Sequence, residues 1–439
     1  MGGEEFSFDR LIALLRETAA SFPDRRTGAN THYRIEDIAL SAFSVFFSQS
    51  PSFLDFQRQI GRGSGLHNAA SLFGVSQIPT DNQIRSVLDE VPPESLSRMF
   101  DTVVGMLDRD GRLDEFRSVG NDLLVTLDGT EYFRSENLHC SQCHVSHHGE
   151  DRIQYSHKLL SPAIVKAGKR EVLALAPEFI RNSDGAEKAE GEIVAAKRWI
   201  EQWGERLSPL SVTIVGDDIY AAQPFLTLVR EHELNFLCVC KPQSHKYLAE
   251  CVESLRREGQ IETLELNEWT GKEHRITTYH WVEDVPLRDS EDAMEVGWVE
   301  VKVFSQEKDK VVYHNSFITN HRLRTETVAE VVAGGRARWK VENEDISTLK
   351  TRGYHLEHNF GHGSRHLCET LATLNILAFL LHTLLDLFDR RYRLLRQERG
   401  RRSRFFSELG TLTGYLYFEN WTALLLFMIE HLRLEDPGG

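Results

Sequence analysis

Three carboxylates in the sequence are spaced so that they could share one metal-dependent site. Asp128 ends the apolar run 123–127 and Asp217 ends the apolar run 212–216, whereas Glu342 lies in a stretch with helical spacing. Aspartates at strand ends and a glutamate on a helix would supply the hard oxygen ligands that magnesium prefers. The sequence therefore predicts a site for two magnesium ions. The alternative is three unrelated carboxylates at the surface.

The stretch around Glu342 also carries arginines and a tryptophan. Arg338 and Glu342 are four residues apart, which places both on one face of a helix. Such a pair is usually solvated and adds little stability. We expect Trp339 and Val341 to anchor neighbouring faces of this helix in a core.

Two cysteines with zinc-ligand spacing lie within 139–148, after the first predicted strand. The pattern Cys140-x-x-Cys143 is typical of zinc sites, and His139 and His144 flank it. One interpretation is a structural zinc held by both cysteines and one or two of these histidines. The other is a polar hairpin tip with reduced thiols, and the sequence leaves both open.

Composition narrows the class of protein. The chain has 439 residues, 41% of them hydrophobic, and a formal net charge of −15, so we expect two or three domains. An acidic total argues against a general nucleic-acid coat but permits a local basic groove. Six cysteines and an acidic start without an apolar signal core indicate a reducing compartment. The apolar stretch 371–387 contains Asn375, His382 and Asp386, so we predict a buried helix, no membrane partner and a cytoplasmic location.

The N-terminal segment 1–118 is predicted to be helical and to bind DNA. Asp81 can cap a helix over 82–90, which follows a glycine turn as in a helix-turn-helix. Gln83 and Arg85 would then read bases. The alternative interpretation is an ordinary corner of a helical bundle.

The remaining chain changes character along its length. Apolar runs alternate with helical segments over 119–245, among them a predicted helix from Ala186 to about Glu205, and residues 153–165 are predicted to be a hairpin partner. This pattern predicts an α/β fold with a mixed sheet, helices on its faces and a site beyond its strand ends. Alternating runs over 246–320 predict a β-rich insertion that interrupts the sheet domain along the chain. Helical spacing returns over 321–365, which carries Glu342, and continues over 366–439.

Positive charge is concentrated near the C-terminus. Eight arginines and a single acid lie over 390–404. Such a run usually marks a solvated helix face. In so acidic a chain it is also a candidate for contact with DNA phosphates, and we predict that Arg390, Arg391 and Arg393 bind DNA. The histidine-rich segment 354–363 is expected to contact DNA, to order a loop, or to form a simple glycine-ended turn.

Three short motifs together resemble a known family. They are, in chain order, Leu127-Asp128-Gly129-Thr130, Gly216-Asp217-Asp218-Ile219-Tyr220 and Arg338-Trp339-Lys340-Val341-Glu342-Asn343. With a β-rich segment before the third motif, the chain resembles the DDE transposases of bacterial insertion sequences over roughly 120–390. The resemblance implies a ribonuclease H-like core with a β-rich insertion, flanked by helical N- and C-terminal regions.

The resemblance also implies an activity. A transposase of this kind cleaves and joins double-stranded DNA at element ends and target, using two magnesium or manganese ions held by the three carboxylates. It implies that Arg336, Arg338 and Lys350 contact DNA phosphates, and that a homodimer acts in the bacterial cytoplasm at the nucleoid. Two alternatives are a related nuclease that only hydrolyses DNA and an inactive, transposase-derived DNA-binding protein.

The sequence departs from the family pattern at two positions. Members often have a tyrosine three residues before the arginine, where this chain has Gly335. They also have a lysine seven residues after the glutamate, whereas Lys350 comes eight after Glu342. Counting back seven residues from Lys350 leads to Asn343, which puts the role of this lysine in question.

Neighbouring acids compete for two of the three carboxylate positions. Asp217 is preferred over Asp218, because Tyr220 then falls at the aromatic position of the family. Glu342 is preferred over Glu344, because it fits the family's Arg-Trp-x-x-Glu spacing. Both rivals remain open on sequence alone.

Overall fold

Helices and two β-sheets make up the part of the chain that the computed structural model describes, residues 5–60, 67–149, 152–185 and 188–438. The fold is mixed α/β, as predicted, with helices flanking a large mixed sheet. Buried apolar side chains form one cluster that joins the helical layer to both sheets.

The N-terminal segment is helical, because apolar residues recur there at helical spacing. Its helices are α1 (Phe8–Ala19), α2 (Ile35–Phe47), α3 (Phe53–Ile60), α4 (Asn68–Phe73), α5 (Asp81–Leu88) and α6 (Ser97–Arg109). α1 buries Leu11 and Leu15 on one face. Thr80, rather than the predicted Asp81, caps α5, since its hydroxyl accepts a hydrogen bond from the Gln83 backbone N–H (3.4 Å).

Strands occupy most of the central part of the chain. They are β1 (Arg117–Ser118), β2 (Asp122–Thr126), β3 (Gly129–Ser135), β4 (His144–His148), β5 (Arg152–Leu160), β6 (Ala163–Val165), β7 (Leu173–Ala174), β8 (Glu178–Ile180), β9 (Val212–Gly216), β10 (Asn235–Val239), β11 (Glu262–Trp269), β12 (His274–Pro286), β13 (Glu295–Ser305) and β14 (Lys310–Thr319). The long alternating runs of β11 to β14 agree with the predicted β-rich segment.

The remaining helices lie between the strands and after them. They are α7 (Lys188–Leu207), α8 (Gln223–Glu231), α9 (Lys246–Arg257), α10 (Val328–Arg336), α11 (Ser347–Thr351), α12 (Leu367–Phe388), α13 (Arg390–Arg399), α14 (Arg402–Tyr415) and α15 (Trp421–His431). The helix that the sequence predicts over 186–205 corresponds to α7, and its predicted first residue, Ala186, lies outside the described residues.

The large sheet has the strand order β11-β12-β13-β14-β10-β9-β2-β6-β7, with β1 paired to β2. At its centre β9 lies between β2 and β10 and runs parallel to both, whereas the flanking strands pair antiparallel. These central strands are buried, as their apolar runs predict. The carboxyl ends of β2 and β9 therefore lie at the same edge of the sheet.

The strands of the segment 246–320 belong to the large sheet and do not form a separate sheet. The segment begins with the helix α9, and its strands form an antiparallel series. The last of them, β14, pairs with β10 through Ile318 and Cys238. Because β10 offers β14 an open edge, the β-rich segment extends the large sheet.

A smaller sheet follows β2 in the chain, with β5 between β3 and β4 and with β8 also paired to β5. Residues 153–165, predicted as one hairpin partner, divide between the two sheets, since β6 pairs with β2. At the crossover the Ser161 backbone N–H donates to the Asp128 carbonyl (2.9 Å). The chain thus passes from Asp128 directly into the smaller sheet.

The two helical ends of the chain pack into one layer. Phe8 stacks on Trp421, with ring centroids 4.5 Å apart, and Phe47 contacts His382, with centroids 4.2 Å apart. The Asn68 amide donates to backbone carbonyls in α14 and just after it. The helical segments at the two ends, which the sequence suggests as separate, therefore share a core.

The long apolar helix α12 is buried, as predicted. Its length and composition would allow it to cross a bilayer, but 83% of its most apolar 18-residue stretch is buried inside the protein. His382 Nδ1 lies 2.6 Å from the Tyr354 hydroxyl, and the Asn375 amide donates to the Tyr354 carbonyl (2.8 Å). These polar contacts are those of a core helix.

The predicted glutamate helix is divided, because α10 leads through a π-helical turn at Val341–Ile346 into α11. Gly335 lets α10 lie against β14, since a Cβ there would meet Phe317 Cδ1 at 2.7 Å. The tyrosine that the family resemblance leads one to expect has no space at this position. Val341 is buried, but Trp339 is 58% exposed, so the prediction that the tryptophan anchors a core is wrong.

Candidate functional site

Asp128 and Asp217 lie next to each other at the carboxyl edge of the large sheet. Thr126 of β2 pairs with Val215 of the parallel strand β9, and each aspartate lies two residues beyond its paired residue. Parallel neighbours in matched register bring the side chains that follow them to the same edge. The structure therefore brings these two predicted carboxylates together.

Glu342 approaches this edge from the π-helical turn. Arg338 Nη1 lies 2.7 Å from Glu342 Oε1 and 3.9 Å from Asp128 Oδ1, so one guanidinium contacts both carboxylates. The Glu342 side chain is 45% exposed and that of Asp128 is 20% exposed. The predicted pair of Arg338 and Glu342 is therefore present, and its guanidinium also contacts Asp128 while Glu342 remains exposed to solvent.

Burial, together with neighbouring negative charge, raises the pKa of Asp128 to about 7. Burial is the largest cause, and the charge of Glu342 is the next. Glu192 and Asp217 also raise the pKa of this carboxyl, whereas Arg338 lowers it. A carboxyl among other carboxylates binds its proton more tightly than usual, and a cation bound among them would offset their repulsion.

Sequence reasoning misses Glu192 of α7, which completes this group. Its Oε1 accepts hydrogen bonds from the Tyr220 hydroxyl (2.8 Å) and from the Gly129 backbone N–H (3.1 Å). A Cβ at Gly129 would displace the Glu192 carboxylate, so the glycine directly after Asp128 leaves room for Glu192 at the site. No local pattern marks Glu192, because tertiary packing of α7 brings it to the site.

The rival carboxylates point elsewhere. Asp218 is bound to the loop after β10, where it accepts a hydrogen bond from the Lys241 backbone N–H (2.6 Å) and one from a serine hydroxyl. Glu344 lines a cavity formed with the C-terminal helices. Of these competing acids, Asp217 and Glu342 are among the main causes of the raised pKa of Asp128, and Asp218 and Glu344 are not.

Asp345 is a buried carboxyl within the π-helical turn that sequence reasoning also misses. Its Oδ2 accepts a hydrogen bond from the Ser161 hydroxyl (2.9 Å), and its Oδ1 has no hydrogen-bond partner among the described residues. Burial raises its pKa to about 7; the Ser161 hydrogen bond opposes this shift and the charge of Asp128 adds to it. A second carboxyl that holds a proton near neutral pH therefore lies close to the first.

The π-helical turn accounts for the unusual spacing of Lys350. An i→i+5 turn contains one residue more than a turn of α-helix. A lysine eight residues after Glu342 therefore reaches the helix face that seven residues would give in a regular α-helix. Its Nζ lies 2.9 Å from Glu357, so the lysine is paired within the protein.

A second group of ligand atoms lies at the smaller sheet. One ligand atom each from Cys140, Cys143, His157 and His362 lies within 4.8 Å of all the others. Among the described residues, this is the group of three or more cysteine, histidine or acidic side chains whose ligand atoms all lie within 4.8 Å of one another. The oxygens of the three predicted magnesium ligands are not all this close together. The prediction that the two cysteines belong to a set of side chains able to hold a metal ion is confirmed.

The histidines predicted to complete this set lie elsewhere. His139 stacks on a tyrosine ring, with centroids 4.4 Å apart, and His144 Nε2 lies 2.8 Å from a backbone carbonyl of β8. His157 and His362 take their places. The sequence contains a signal for His157, because the 13 residues between it and Cys143 match the spacing of many zinc sites.

The arginine run forms α13 and α14 beside a cavity of about 1400 Å³. The arginines that line it are Arg170, Arg352, Arg393, Arg396, Arg401 and Arg402, and the acids are Asp55, Glu171, Glu344 and Asp386. Arg396 is only 9% exposed, and its Nε and Nη1 have no hydrogen-bond partner among the described residues. A buried guanidinium with unpaired donors is costly unless an anion or water satisfies it.

The predicted phosphate contacts differ in their accessibility. Arg391 forms a two-pronged ion pair with Asp436 (2.8 and 2.9 Å). Arg390 is exposed, and Arg393 lines the cavity with an exposed side chain. Arg336 is exposed and lies over the Tyr313 ring, 4.3 Å from its centroid. The run is thus a pair of packed helices rather than one solvated face.

The segment that resembles a helix-turn-helix is a packing corner. α5 buries Ile84 and Leu88, and Arg85 Nε donates to the Phe360 carbonyl (2.9 Å). Gln83 is half-buried. The apolar face of α5 is buried and Arg85 is bonded to the loop at Phe360, so the structure favours the bundle-corner interpretation.

The chain matches no protein-family model, and no curated protein is similar to it. Its function therefore has to be argued from the sites themselves. The structure offers a group of hard oxygen ligands beside a guanidinium, a set of sulfur and nitrogen ligands, and an arginine-lined cavity.

Proposed function

We propose that this protein is a DDE transposase with a ribonuclease H-like core, which cleaves and joins DNA at the ends of an insertion sequence. The observation that carries the proposal is the matched position of Asp128 and Asp217 directly beyond the parallel strands β2 and β9. Glu342 lies close enough for its charge to raise the pKa of Asp128. The central parallel strands with antiparallel neighbours support the ribonuclease H-like interpretation.

Asp128, Asp217 and Glu342 would hold two magnesium or manganese ions. Their oxygens are the hard ligands that these ions prefer. Burial is the largest cause of the raised pKa of Asp128, and bound cations would offset the part that comes from the neighbouring carboxylates. When bound, such ions activate water or a 3′-hydroxyl and stabilise the leaving oxygen.

The surrounding side chains position these carboxylates. Arg338 holds Glu342 at 2.7 Å and so keeps it close to Asp128. The Ser161 backbone N–H holds the Asp128 carbonyl at 2.9 Å. Glu192, fixed by two hydrogen bonds, keeps further negative charge beside them. Phosphoryl transfer depends mainly on such positioning and electrostatics.

The proposed partner is double-stranded DNA, contacted locally by arginines in an otherwise acidic protein. Trp339 is exposed directly after Arg338, which offers an aromatic face for a base or sugar. Arg336 is exposed on the same stretch. Six arginines around one cavity provide donors for phosphate oxygens, and guanidinium groups bind phosphate in forked geometry.

Cleavage and joining of DNA test the proposal. Linear DNA that carries the sequences flanking the gene would be incubated with the full chain and magnesium, and the products separated on denaturing gels. We expect cuts at one position near each element end, followed by joined products. Asp128→Asn should bind DNA normally but neither cut nor join it. Glu344→Gln should cut and join DNA as the unaltered chain does.

The other outcomes separate the alternatives. Cuts without joined products would favour a nuclease, and binding without cuts by the unaltered chain would favour an inactive DNA-binding protein. Cleavage by Asp128→Asn at the rate of the unaltered chain, with contaminating nuclease excluded, would overturn the proposed site.

A further inference from the structure

The four sulfur and nitrogen ligands are arranged like the corners of a tetrahedron. Sγ of Cys140 and Cys143 lie 3.9 Å apart. His157 Nε2 lies 3.5 Å from the first sulfur and 3.3 Å from the second, and His362 Nε2 lies 3.6 Å from Cys143 Sγ. A tetrahedral zinc with Zn–S of about 2.3 Å and Zn–N of about 2.0 Å has S–S edges of about 3.8 Å and S–N edges of about 3.5 Å.

The surroundings of these groups favour a metal over other uses of two thiols. The separation of the sulfurs is far longer than a disulfide bond of about 2.0 Å. Cys143 is only 2% exposed, which does not suit a thiol that reacts with substrates in solution. Two thiolates, two neutral imidazoles and one divalent ion carry no net charge together, so a buried site of this composition avoids an unpaired charge.

We propose that Cys140, Cys143, His157 and His362 bind one zinc ion. Two sulfurs and two imidazole nitrogens in tetrahedral arrangement are the ligands of structural zinc. All four positions come from protein side chains, so the site is closed and leaves no position for a substrate. The proposal goes beyond the transposase function and does not depend on it, because zinc content is measured without DNA.

The zinc ion fastens a loop to the smaller sheet. His362 lies in the loop between α11 and α12, whereas the other ligands belong to β5 and to the turn between β3 and β4. The same loop is held at Phe360, whose carbonyl accepts from Arg85 (2.9 Å), and at Ser364, whose N–H donates to Asp89. Zinc adds a third attachment, at His362, between these two points. It thereby links the loop that follows Glu342 in the chain to the smaller sheet that follows Asp128.

Zinc content of the purified full chain tests the ligand set. We expect about one zinc ion per chain by elemental analysis after exhaustive dialysis. Cys143→Ser and His362→Gln should lose zinc to a competing chelator at least tenfold more readily than the unaltered chain. His358→Gln, in the same loop, and His144→Gln, in the same sheet, should retain it as the unaltered chain does.

Cobalt substitution and hydrogen exchange supply readouts that a merely structural change would not reproduce. Cobalt in the unaltered chain should show thiolate charge-transfer bands and the strong visible absorption of a tetrahedral site. Removal of zinc should increase amide exchange over 353–366, and His362→Gln should do the same.

Several outcomes would overturn the proposal. One is that the unaltered chain, in reduced form, contains no zinc and gives no cobalt spectrum. This result does not depend on whether any variant folds. Another is a His362→Gln variant that holds zinc as tightly as the unaltered chain, and a third is loss of zinc in His144→Gln. Unchanged exchange over 353–366 on zinc removal would overturn the fastening of the loop.

Discussion

Arg338 Nη1 and Glu342 Oε1 lie 2.7 Å apart, and the same nitrogen lies 3.9 Å from Asp128. The guanidinium thus offsets part of the negative charge at the sheet edge, as its lowering effect on the pKa of Asp128 shows. Under the proposed function, metal ions and Arg338 compete for the same two carboxylates.

Removal of Arg338 should therefore increase the response to magnesium. Arg338→Met leaves the carboxylates without this positive charge, so the metal-free protein should lose about 1 kcal/mol of stability. Added magnesium should then raise its unfolding temperature by more than that of the unaltered chain. The matched control is Arg336→Met, because Arg336 lies over Tyr313 and not against the carboxylates. Equal magnesium shifts in both variants would contradict the competition.

The close approach of α10 to β14 gives a stability prediction. Gly335→Ala places a Cβ 2.7 Å from Phe317 Cδ1, and such overpacking costs about 1–3 kcal/mol. Gly105→Ala in α6 is the control, since its nearest neighbour is the flexible end of Arg109 at 3.4 Å. That change should stabilise the helix by about 0.5–1 kcal/mol. Urea unfolding measures both, and a Gly335→Ala variant as stable as the unaltered chain would show that α10 can move away from the sheet.

The elements that local patterns determine are predictable from the sequence. Apolar runs that end in Asp128 and Asp217 specify buried strands with acids at their ends, and parallel pairing brings these ends together. The Cys140 and Cys143 spacing likewise indicates a turn with two sulfurs on one side. Tyr220, three residues after Asp217, contacts this group of carboxylates through the hydrogen bond from its hydroxyl to Glu192.

Contacts between distant parts of the chain are not predictable in this way. His362 joins the cysteines from far along the sequence, and no period or cap marks it. The predicted continuous helix around Trp339 is also wrong, because α10 ends at Arg336 and the chain then enters a π-helical turn at Val341–Ile346. Similarly, β14 joins β10 because an open sheet edge is available, which local alternation cannot reveal.

Asp345 should make stability depend on pH. Its pKa is raised from 3.8 to about 7, so the folded protein holds a proton that the unfolded chain releases between these values. The free energy of unfolding therefore falls as pH rises through this window. Asn at this position cannot ionise. Between about pH 4 and pH 8, the free energy of unfolding of Asp345→Asn should therefore fall by about 1–4 kcal/mol less than that of the unaltered chain.

Urea unfolding across this pH range measures the effect. Asp114→Asn serves as the control for the loss of one acidic side chain, because the Asp114 side chain is 73% exposed whereas Asp345 is buried. An Asp345→Asn slope equal to that of the unaltered chain would mean that Asp345 is ionised in the folded protein throughout the range.

The arginine-lined cavity should contribute to DNA affinity without regard to sequence. Arg393→Gln and Arg401→Gln each remove an exposed cation from its lining. Because phosphate contacts act through counterion release, each variant should weaken binding to all DNA alike and reduce the slope of log affinity against log salt by about one. Arg391→Gln is the control, since Arg391 is paired with Asp436 outside the cavity.

The buried Arg396 distinguishes a phosphate site from a simple cavity. If its unpaired Nε and Nη1 bind a DNA phosphate, Arg396→Met should weaken DNA binding by at least tenfold while leaving the free protein as stable or more stable, because the variant no longer buries an unpaired charge. If they serve only the fold, the variant should lose stability and bind DNA as before. Binding titrations at two salt concentrations and urea unfolding of the same preparations separate the two results. Unchanged binding in Arg393→Gln, Arg401→Gln and Arg396→Met together would exclude the cavity from the DNA-binding surface.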